Sequence, residues 1–211
     1  MHLRPDEPQQ VARLFGFLQH GEWLARDVAA RQVRLATTPA LQRFFATQSR
    51  QEMFHAAVFQ GAVHWLAPRG AQGIPGLPEL ERYRTLTEAA VARGDLAESV
   101  LALQVLFEAL GDVTLEAIDA GIERRGGGFE RLRRVLRTQE QGHHAFGMRL
   151  LNQLAANAGE RRRLQQRAQD YLELVSGMLA GLDGLFIHFD EDPRDYLAGF
   201  QHRLPAWLVP A

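Results

Sequence analysis

Two short motifs in this sequence place a histidine three residues after a glutamate. They are Glu52-x-x-His55 and Glu140-x-x-His143. On an α-helix, residues at this spacing lie about 60° apart around the axis and roughly 4.5 Å apart along it, so both side chains reach one point beside the helix. Each motif therefore predicts a chelating pair of side chains for a metal ion.

A further glutamate precedes each motif by about thirty residues. Glu22 lies thirty residues before Glu52, and Glu108 lies thirty-two before Glu140. Each falls in the middle of a predicted helix. Because mid-helix positions on neighbouring helices of a bundle reach similar heights, we expect six side chains to converge at the bundle centre. These are Glu22, Glu52, His55, Glu108, Glu140 and His143.

Charge balance indicates that this cluster binds two divalent cations. Buried carboxylates without partners are strongly destabilising, whereas two dications would neutralise the four glutamates and two neutral imidazoles would complete their coordination. The chain contains no cysteine, so the ligands must be oxygen and nitrogen. Such ligands suit iron, manganese or zinc without selecting one of them.

The rest of the chain has the periodicity of helices. Apolar residues recur every three or four positions, which predicts an all-α fold. Thr38 and Asp95 are expected to cap helices, and a connection rich in proline and glycine over 67–78 is expected to become a long crossover between bundle helices. Helices are expected over about 8–36, 39–68, 79–93, 96–121, 129–158 and 160–189, followed by a tail that could form a turn and a short helix.

The order Glu, Glu-x-x-His, Glu, Glu-x-x-His resembles the ferritin-like di-iron carboxylate superfamily. The resemblance covers about residues 8–158. The superfamily includes bacterioferritin, rubrerythrin, ribonucleotide reductase small subunits, bacterial multicomponent monooxygenases and aldehyde-deformylating oxygenases. The resemblance implies a ferritin-like four-helix bundle with a long crossover between its second and third helices. We expect one domain over 1–211, with a C-terminal helix and tail over 159–211 added to the bundle.

The resemblance also implies a role for each ligand and the identity of the metal. Two iron ions are expected, with manganese or a mixed pair as alternatives. Each histidine would bind one metal. The terminal ligands would be Glu22 and Glu108, and the bridging or shifting ligands would be Glu52 and Glu140.

Several positions near the motifs differ from known members or have open roles. Many oxidative members have Asp directly before the fourth-helix Glu, where this chain has Gln139, so the usual partner of a ligand is expected to be missing. Leu136 occupies the place of a third His found in arylamine N-oxygenases, which disfavours that subgroup. Asp112 and Gln104 share a helix face with Glu108. They are candidates for orienting the histidines, or else ordinary polar residues at the bundle end.

The resemblance implies an O2-activating oxidase or oxygenase that acts on an apolar organic small molecule, with an unspecified electron donor. The length beyond the fourth bundle helix favours this function, because the fifth helix and tail could close a substrate pocket. Two alternatives stay open. One is a ferroxidase or iron-storage protein, and the other is a non-enzymatic, metal-stabilised helical bundle.

Composition does not favour nucleic acid or a membrane as a partner. The net charge of -1 provides no general attraction to nucleic acid or to an anionic membrane. No stretch approaches the roughly 20 apolar residues of a membrane span, and the N-terminus lacks the apolar run of a signal peptide. We expect a soluble cytoplasmic protein, for which a homodimer is one option.

Overall fold

The computed structural model describes residues 7–186, 188 and 191–208. Within these residues all regular secondary structure is helical, which confirms the all-α prediction. The N-terminal residues 1–6, the expected end of the fifth helix at residue 189 and the last residues of the tail lie outside the described part. The helices are α1 Glu7–Gln32, α2 Pro39–Leu66, α3 Leu77–Ala92, α4 Leu96–Val100, a π-helix Leu101–Phe107, α5 Glu108–Arg124, α6 Glu130–Leu154, α7 Ala158–Phe186 and α8 Pro193–His202.

Helices α1 and α2 form a hairpin that supplies half of the bundle. Thr38 caps α2 as predicted, because its side chain accepts a hydrogen bond from the Leu41 backbone N–H at 3.2 Å. Pro39 follows in the first turn, where a missing N–H is tolerated. Apolar residues on the inner face of α1, among them Leu14 and Leu24, are fully buried and fix this helix against the core.

The long crossover is confirmed and contains α3. Gly70, Gly73 and Gly76 have positive φ angles, which glycine adopts without steric strain, and they turn the chain between α2 and α3. Asp95 then caps α4 as predicted, since its Oδ1 accepts a hydrogen bond from the Glu98 backbone N–H at 3.0 Å. The crossover thereby delivers the third bundle helix to the site.

The third bundle helix is continuous from Leu96 to Arg124, but its middle is π-helical, which the sequence analysis did not predict. A π-helical stretch shifts the direction of every later side chain, and Glu108 follows it directly. Two contacts accompany it. The Tyr83 hydroxyl donates to the Ala102 carbonyl at 2.6 Å, and Gly147 on α6 lies so close that an added Cβ would be 2.3 Å from Cβ of Gln104.

The C-terminal helices pack on the bundle and extend its core. Tyr171 and Met178 of α7 are buried. Helix α8 is attached to α5 by Arg203, whose guanidinium lies 2.6 Å from both Asp112 and Glu116. Within the described residues, no helix combines the length and the apolar character needed to cross a membrane.

Candidate metal centre

The structure brings all six predicted side chains together in the bundle interior. Their ligand atoms form two overlapping groups, and within each group the atoms lie within 4.8 Å of one another. The first, called the His55 group below, consists of Glu22, Glu52, His55 and Glu140. The second, called the His143 group, consists of Glu52, Glu108 and His143.

Glu52 belongs to both groups and links them. Its Oε2 lies 3.0 Å from Nδ1 of His55, and its Oε1 lies 3.0 Å from Nδ1 of His143. A carboxylate whose two oxygens face two different imidazoles can bridge two cations. Glu140 Oε1 lies 2.8 Å from the same His55 nitrogen, so this glutamate is placed with the His55 group.

Burial and mutual repulsion raise the pKa values of Glu22 and Glu108. Burial, followed by the charge of Glu140, raises the pKa of Glu22 well above its ordinary value. Burial, followed by the charges of Glu140 and Glu52, does the same for Glu108. Glu52, which belongs to both groups, behaves differently: burial opposes its ionisation, but the neighbouring His143 and His55 lower its pKa to about 2.

Burial acts in the opposite sense on the two histidines. It lowers the pKa of each imidazole, but the surrounding carboxylates raise the pKa by more. Glu140 is the foremost of these for His55 and Glu52 for His143, and both histidine pKa values are raised. The centre is therefore a place where buried negative charge attracts positive charge. A metal dication supplies that charge and would displace protons from these groups.

Unpartnered buried atoms show that these residues fit metal ions. Both Glu52 oxygens, Nδ1 of His55 and of His143, and Oε1 of Glu140 are buried without a hydrogen-bond partner in suitable geometry. Buried polar atoms in native proteins nearly always have partners, so a convergent set without them calls for an explanation. Two dications with oxygen and nitrogen ligands would satisfy all five atoms.

Glutamine side chains orient both imidazoles from behind. His55 Nε2 donates to Oε1 of Gln139 at 2.8 Å, and His143 Nε2 donates to Oε1 of Gln51 at 2.8 Å. An amide oxygen only accepts hydrogen bonds, so each Nε2 carries a proton, and Nδ1 is the nitrogen that faces the carboxylates and would bind an ion. Gln139 was expected to leave a ligand without its usual carboxylate partner; its amide oxygen makes that contact instead.

Of the two roles left open for Asp112, the hydrogen bonds support a polar residue that joins helices, not one that orients His55 or His143. Asp112 Oδ2 accepts a hydrogen bond from Nε of Arg203 at 2.6 Å, and its Oδ1 accepts one from Gln141 at 3.2 Å. The side chain instead joins α5 to α6 and α8. Asp112 acts as a structural anchor one turn beyond the ligand Glu108.

Gln104 acts on a carboxylate rather than on a histidine, through a chain of buried amides. Gln48 Nε2 donates to Glu108 Oε1 at 2.6 Å, and Gln104 Nε2 donates to Gln48 Oε1 at 2.9 Å. Gln104 and Gln32 exchange a reciprocal pair of hydrogen bonds at 2.7 and 3.1 Å. These three glutamines, called the amide chain below, are fully buried. Gln32 and Gln48 were not identified from the sequence.

A small cavity of about 30 Å³ borders the centre, and neither His55 nor His143 lines it. Its walls include Phe17, Leu18 and Phe107, and three of the glutamates, Glu22, Glu108 and Glu140, also line it. Since one water needs roughly 10–15 Å³ on this scale, the cavity has room for about two water-sized molecules. No residue of α7 or α8 lines it, so these helices do not close this cavity as was expected.

Comparison with known proteins supports the fold. No protein-family model matches the chain, and no curated protein does. A solved structure of a Synechococcus protein with aldehyde deformylating oxidase activity is similar with a TM-score of 0.82 at 18% sequence identity. The alignment covers 97% of this chain and 90% of the other. The chain therefore has the ferritin-like helical fold that its motif order implied.

Proposed function

We propose that this chain is a dinuclear metal enzyme, with iron as its metal, that activates O2 to oxidise an apolar organic substrate. One observation carries the proposal. Two ligand groups share Glu52, and their carboxylates face a small cavity with apolar walls. The structural similarity to a protein with aldehyde deformylating oxidase activity supports the same class of chemistry.

The ligand roles follow from the two groups. Glu22 and His55 would hold one ion, and Glu108 and His143 the other. Glu52 would bridge them, and Glu140 would complete the first position. Two bound iron ions would supply the electrons for O2 reduction and a template for the reactants.

The protein's own side chains orient the ligands and exclude water. Gln139 and Gln51 hold the imidazoles with Nδ1 toward the carboxylates. In the cavity, Phe17 and Phe107 form apolar walls beside Glu22 and Glu108. Apolar walls limit how much water reaches these carboxylates, which strengthens electrostatic interactions in the site and reduces wasteful side reactions.

The cavity also constrains the substrate. A volume of about 30 Å³ accommodates O2 but not an organic chain, so a larger substrate requires movement of a wall residue such as Phe17 or Phe107. We propose an apolar substrate whose reactive end enters between these rings. Aldehydes are the first candidates, because the structurally similar Synechococcus protein has an aldehyde deformylating activity.

The proposal is tested by O2 uptake. Protein loaded anaerobically with Fe(II) is mixed with O2, a chemical reductant and linear aldehydes of increasing chain length. We expect uptake that requires both reductant and aldehyde. The Glu52→Gln variant should lose it, whereas Glu173→Gln, at an exposed position on α7, should retain it.

Two results would contradict the proposal. Rapid O2 uptake with Fe(II) alone, followed by mineral formation, would indicate a ferroxidase or storage protein. Absence of uptake from protein that demonstrably holds two irons, with every aldehyde tested, would indicate a metal-stabilised bundle without this activity.

A further inference from the structure

We infer that the two metal positions are inequivalent: the Glu108–His143 position binds its ion first and more tightly, and the Glu22–His55 position holds the more exchangeable ion. The inference rests on the proposed function in one respect, namely that the six residues bind two ions. It concerns the order and strength of binding, which the ligand set alone does not specify.

The histidine sides of the two positions are matched, so they do not create the difference. Each Nε2 donates to a glutamine Oε1 at 2.8 Å. Each Nδ1 lies 3.0 Å from an oxygen of the shared Glu52. Orientation of the imidazole and access to Glu52 are therefore alike at both positions. Glu140 is a further ligand candidate in the His55 group, with its Oε1 2.8 Å from Nδ1 of His55, but it lines the cavity together with both Glu22 and Glu108 and so is not reserved for one position.

The terminal carboxylate of the His143 group is held in place by the amide chain. Glu108 is 2 % exposed, and its Oε1 accepts the 2.6 Å hydrogen bond from Gln48. The remaining oxygen, Oε2, lies 3.7 Å from Nδ1 of His143 and is the one left for an ion. Because Gln48 is itself held by Gln104, and Gln104 by Gln32, the direction of this carboxylate is set before any ion binds.

The terminal carboxylate of the His55 group has no such support. The Glu22 side chain is 13% exposed, and its Oε2 lies 3.5 Å from Nδ1 of His55. Throughout the described residues, no amide or hydroxyl group donates a hydrogen bond to Glu22. An ion binding here must therefore fix a side chain that no such hydrogen bond orients beforehand, which offsets part of its binding free energy.

Metal affinity should follow this difference in preorganisation. Removing a hydrogen-bond partner that orients a metal ligand typically weakens metal binding by about 10–100-fold. An amide chain present at one position and absent at the other should separate the two dissociation constants by a factor of this order. The ion between Glu108 and His143 should therefore bind first.

Titration of the metal-free, full-length protein with Co(II) tests the inference, with calorimetry and visible absorption as readouts. For the unmodified protein we expect two steps whose dissociation constants differ by at least about tenfold. Gln48→Leu should weaken the first step about 10–100-fold and leave the second nearly unchanged. Gln60→Leu makes the same change at an exposed position of α2 and should alter neither step.

A second pair of variants leaves the amide chain intact and decides the question if Gln48→Leu does not fold. Glu22→Gln should retain one ion bound with the affinity of the first step. Glu108→Gln should lose the tight step. Two ions bound with equal affinity, or loss of the tight step in Glu22→Gln, would overturn the inference while leaving the dinuclear site standing. Failure of the unmodified protein to bind two Co(II) ions would overturn both.

Discussion

His55 Nε2 donates a hydrogen bond to Gln139 Oε1 at 2.8 Å, and Gln139 directly precedes Glu140 of the other Glu-x-x-His motif. The reverse contact is made by His143 with Gln51, which directly precedes Glu52. Each motif thus supplies two of the proposed ligands and also orients the histidine of the other motif. Because both orienting groups are neutral amides, they add no charge to four carboxylates that two dications would balance.

Replacing Gln139 by Leu should weaken metal binding. The change leaves His55 Nε2 without its acceptor, so the ring is no longer fixed, and we expect a loss of about 10–100-fold in affinity. Gln139→Glu keeps an acceptor at the same reach and should bind metal more tightly than Gln139→Leu does. Competition with a chelator measures the metal affinity of both variants. Gln153→Leu, exposed on the same helix, is the control, and equal affinity of Gln139→Leu and the unmodified protein would exclude an orienting role.

Adding a methyl group at Gly147 should destabilise the fold. An added Cβ would lie 2.3 Å from Gln104 Cβ and 2.9 Å from the Gln104 backbone, so α6 and the π-helix must separate. Overpacking of this kind costs about 1–3 kcal/mol of unfolding free energy. Urea denaturation of Gly147→Ala measures it.

Gly142 on the same helix provides the matched control. An added Cβ there meets nothing within 4 Å, so Gly142→Ala should stabilise the protein by roughly 0.5–1 kcal/mol through helix propensity. If the two substitutions had equal effects, close packing against Gln104 would not be the reason for glycine at 147.

The spacing of the six proposed ligands made their convergence predictable, whereas their supporting contacts depend on distant parts of the chain. Helix periodicity and the repeated motif are local, and the side chains that they single out, such as Glu52 and His55, do lie together in the structure. The π-helix contacts Tyr83 from the crossover and Gly147 from α6, and neither contact has a local signature in the sequence. A lone glutamine in an apolar helix, such as Gln48, looks the same whether it faces a ligand or solvent.

Gln51 has no distinctive signal in the sequence. Gln139 stands out because it replaces a familiar aspartate, whereas the role of the equivalent residue in the first motif is evident only when the two motifs are compared with each other. The absence of α7 from the cavity walls has another reason: the position of α7 is set by its packing against α3 and α8, which periodicity does not reveal.

Asp95 should stabilise the fold in a pH-dependent manner. It caps α4 and accepts hydrogen bonds from Arg163 of α7 at 2.6 and 3.1 Å. Burial alone would raise its pKa, but Arg163 and the Glu98 backbone N–H lower it below the ordinary value of 3.8. A lowered pKa in the folded state means that this contribution is complete above the unfolded-state pKa and is lost as the pH falls through the folded-state pKa.

Two variants separate the cap from the charge. Asp95→Asn keeps a capping side chain and removes the charge, whereas Asp95→Ala removes both and should cost about 1 kcal/mol more. In urea denaturation over a pH series, the difference between the unmodified protein and Asp95→Asn should be greatest near neutrality and shrink below about pH 4. A difference independent of pH would show that the Asp95 charge is not involved.

Gly111→Ala should affect the proposed reaction without affecting metal binding. Gly111 lines the cavity, and an added Cβ would lie 3.6 Å from Glu140 Oε2, an ordinary contact distance. The methyl group would occupy space in a cavity of only about 30 Å³, so O2 uptake should fall while two metals remain bound. Unchanged uptake, measured beside Gly142→Ala, would show that reactants do not use this cavity.

Anomalous X-ray diffraction at the iron and manganese edges tests the central claim most directly. Crystals of iron-loaded protein should show two iron peaks about 3.5–4 Å apart on either side of Glu52, as in other dinuclear sites. One peak should lie beside Nδ1 of His55 and the other beside Nδ1 of His143. No peak among the six residues, or iron bound elsewhere, would contradict a dinuclear centre formed by the two motifs.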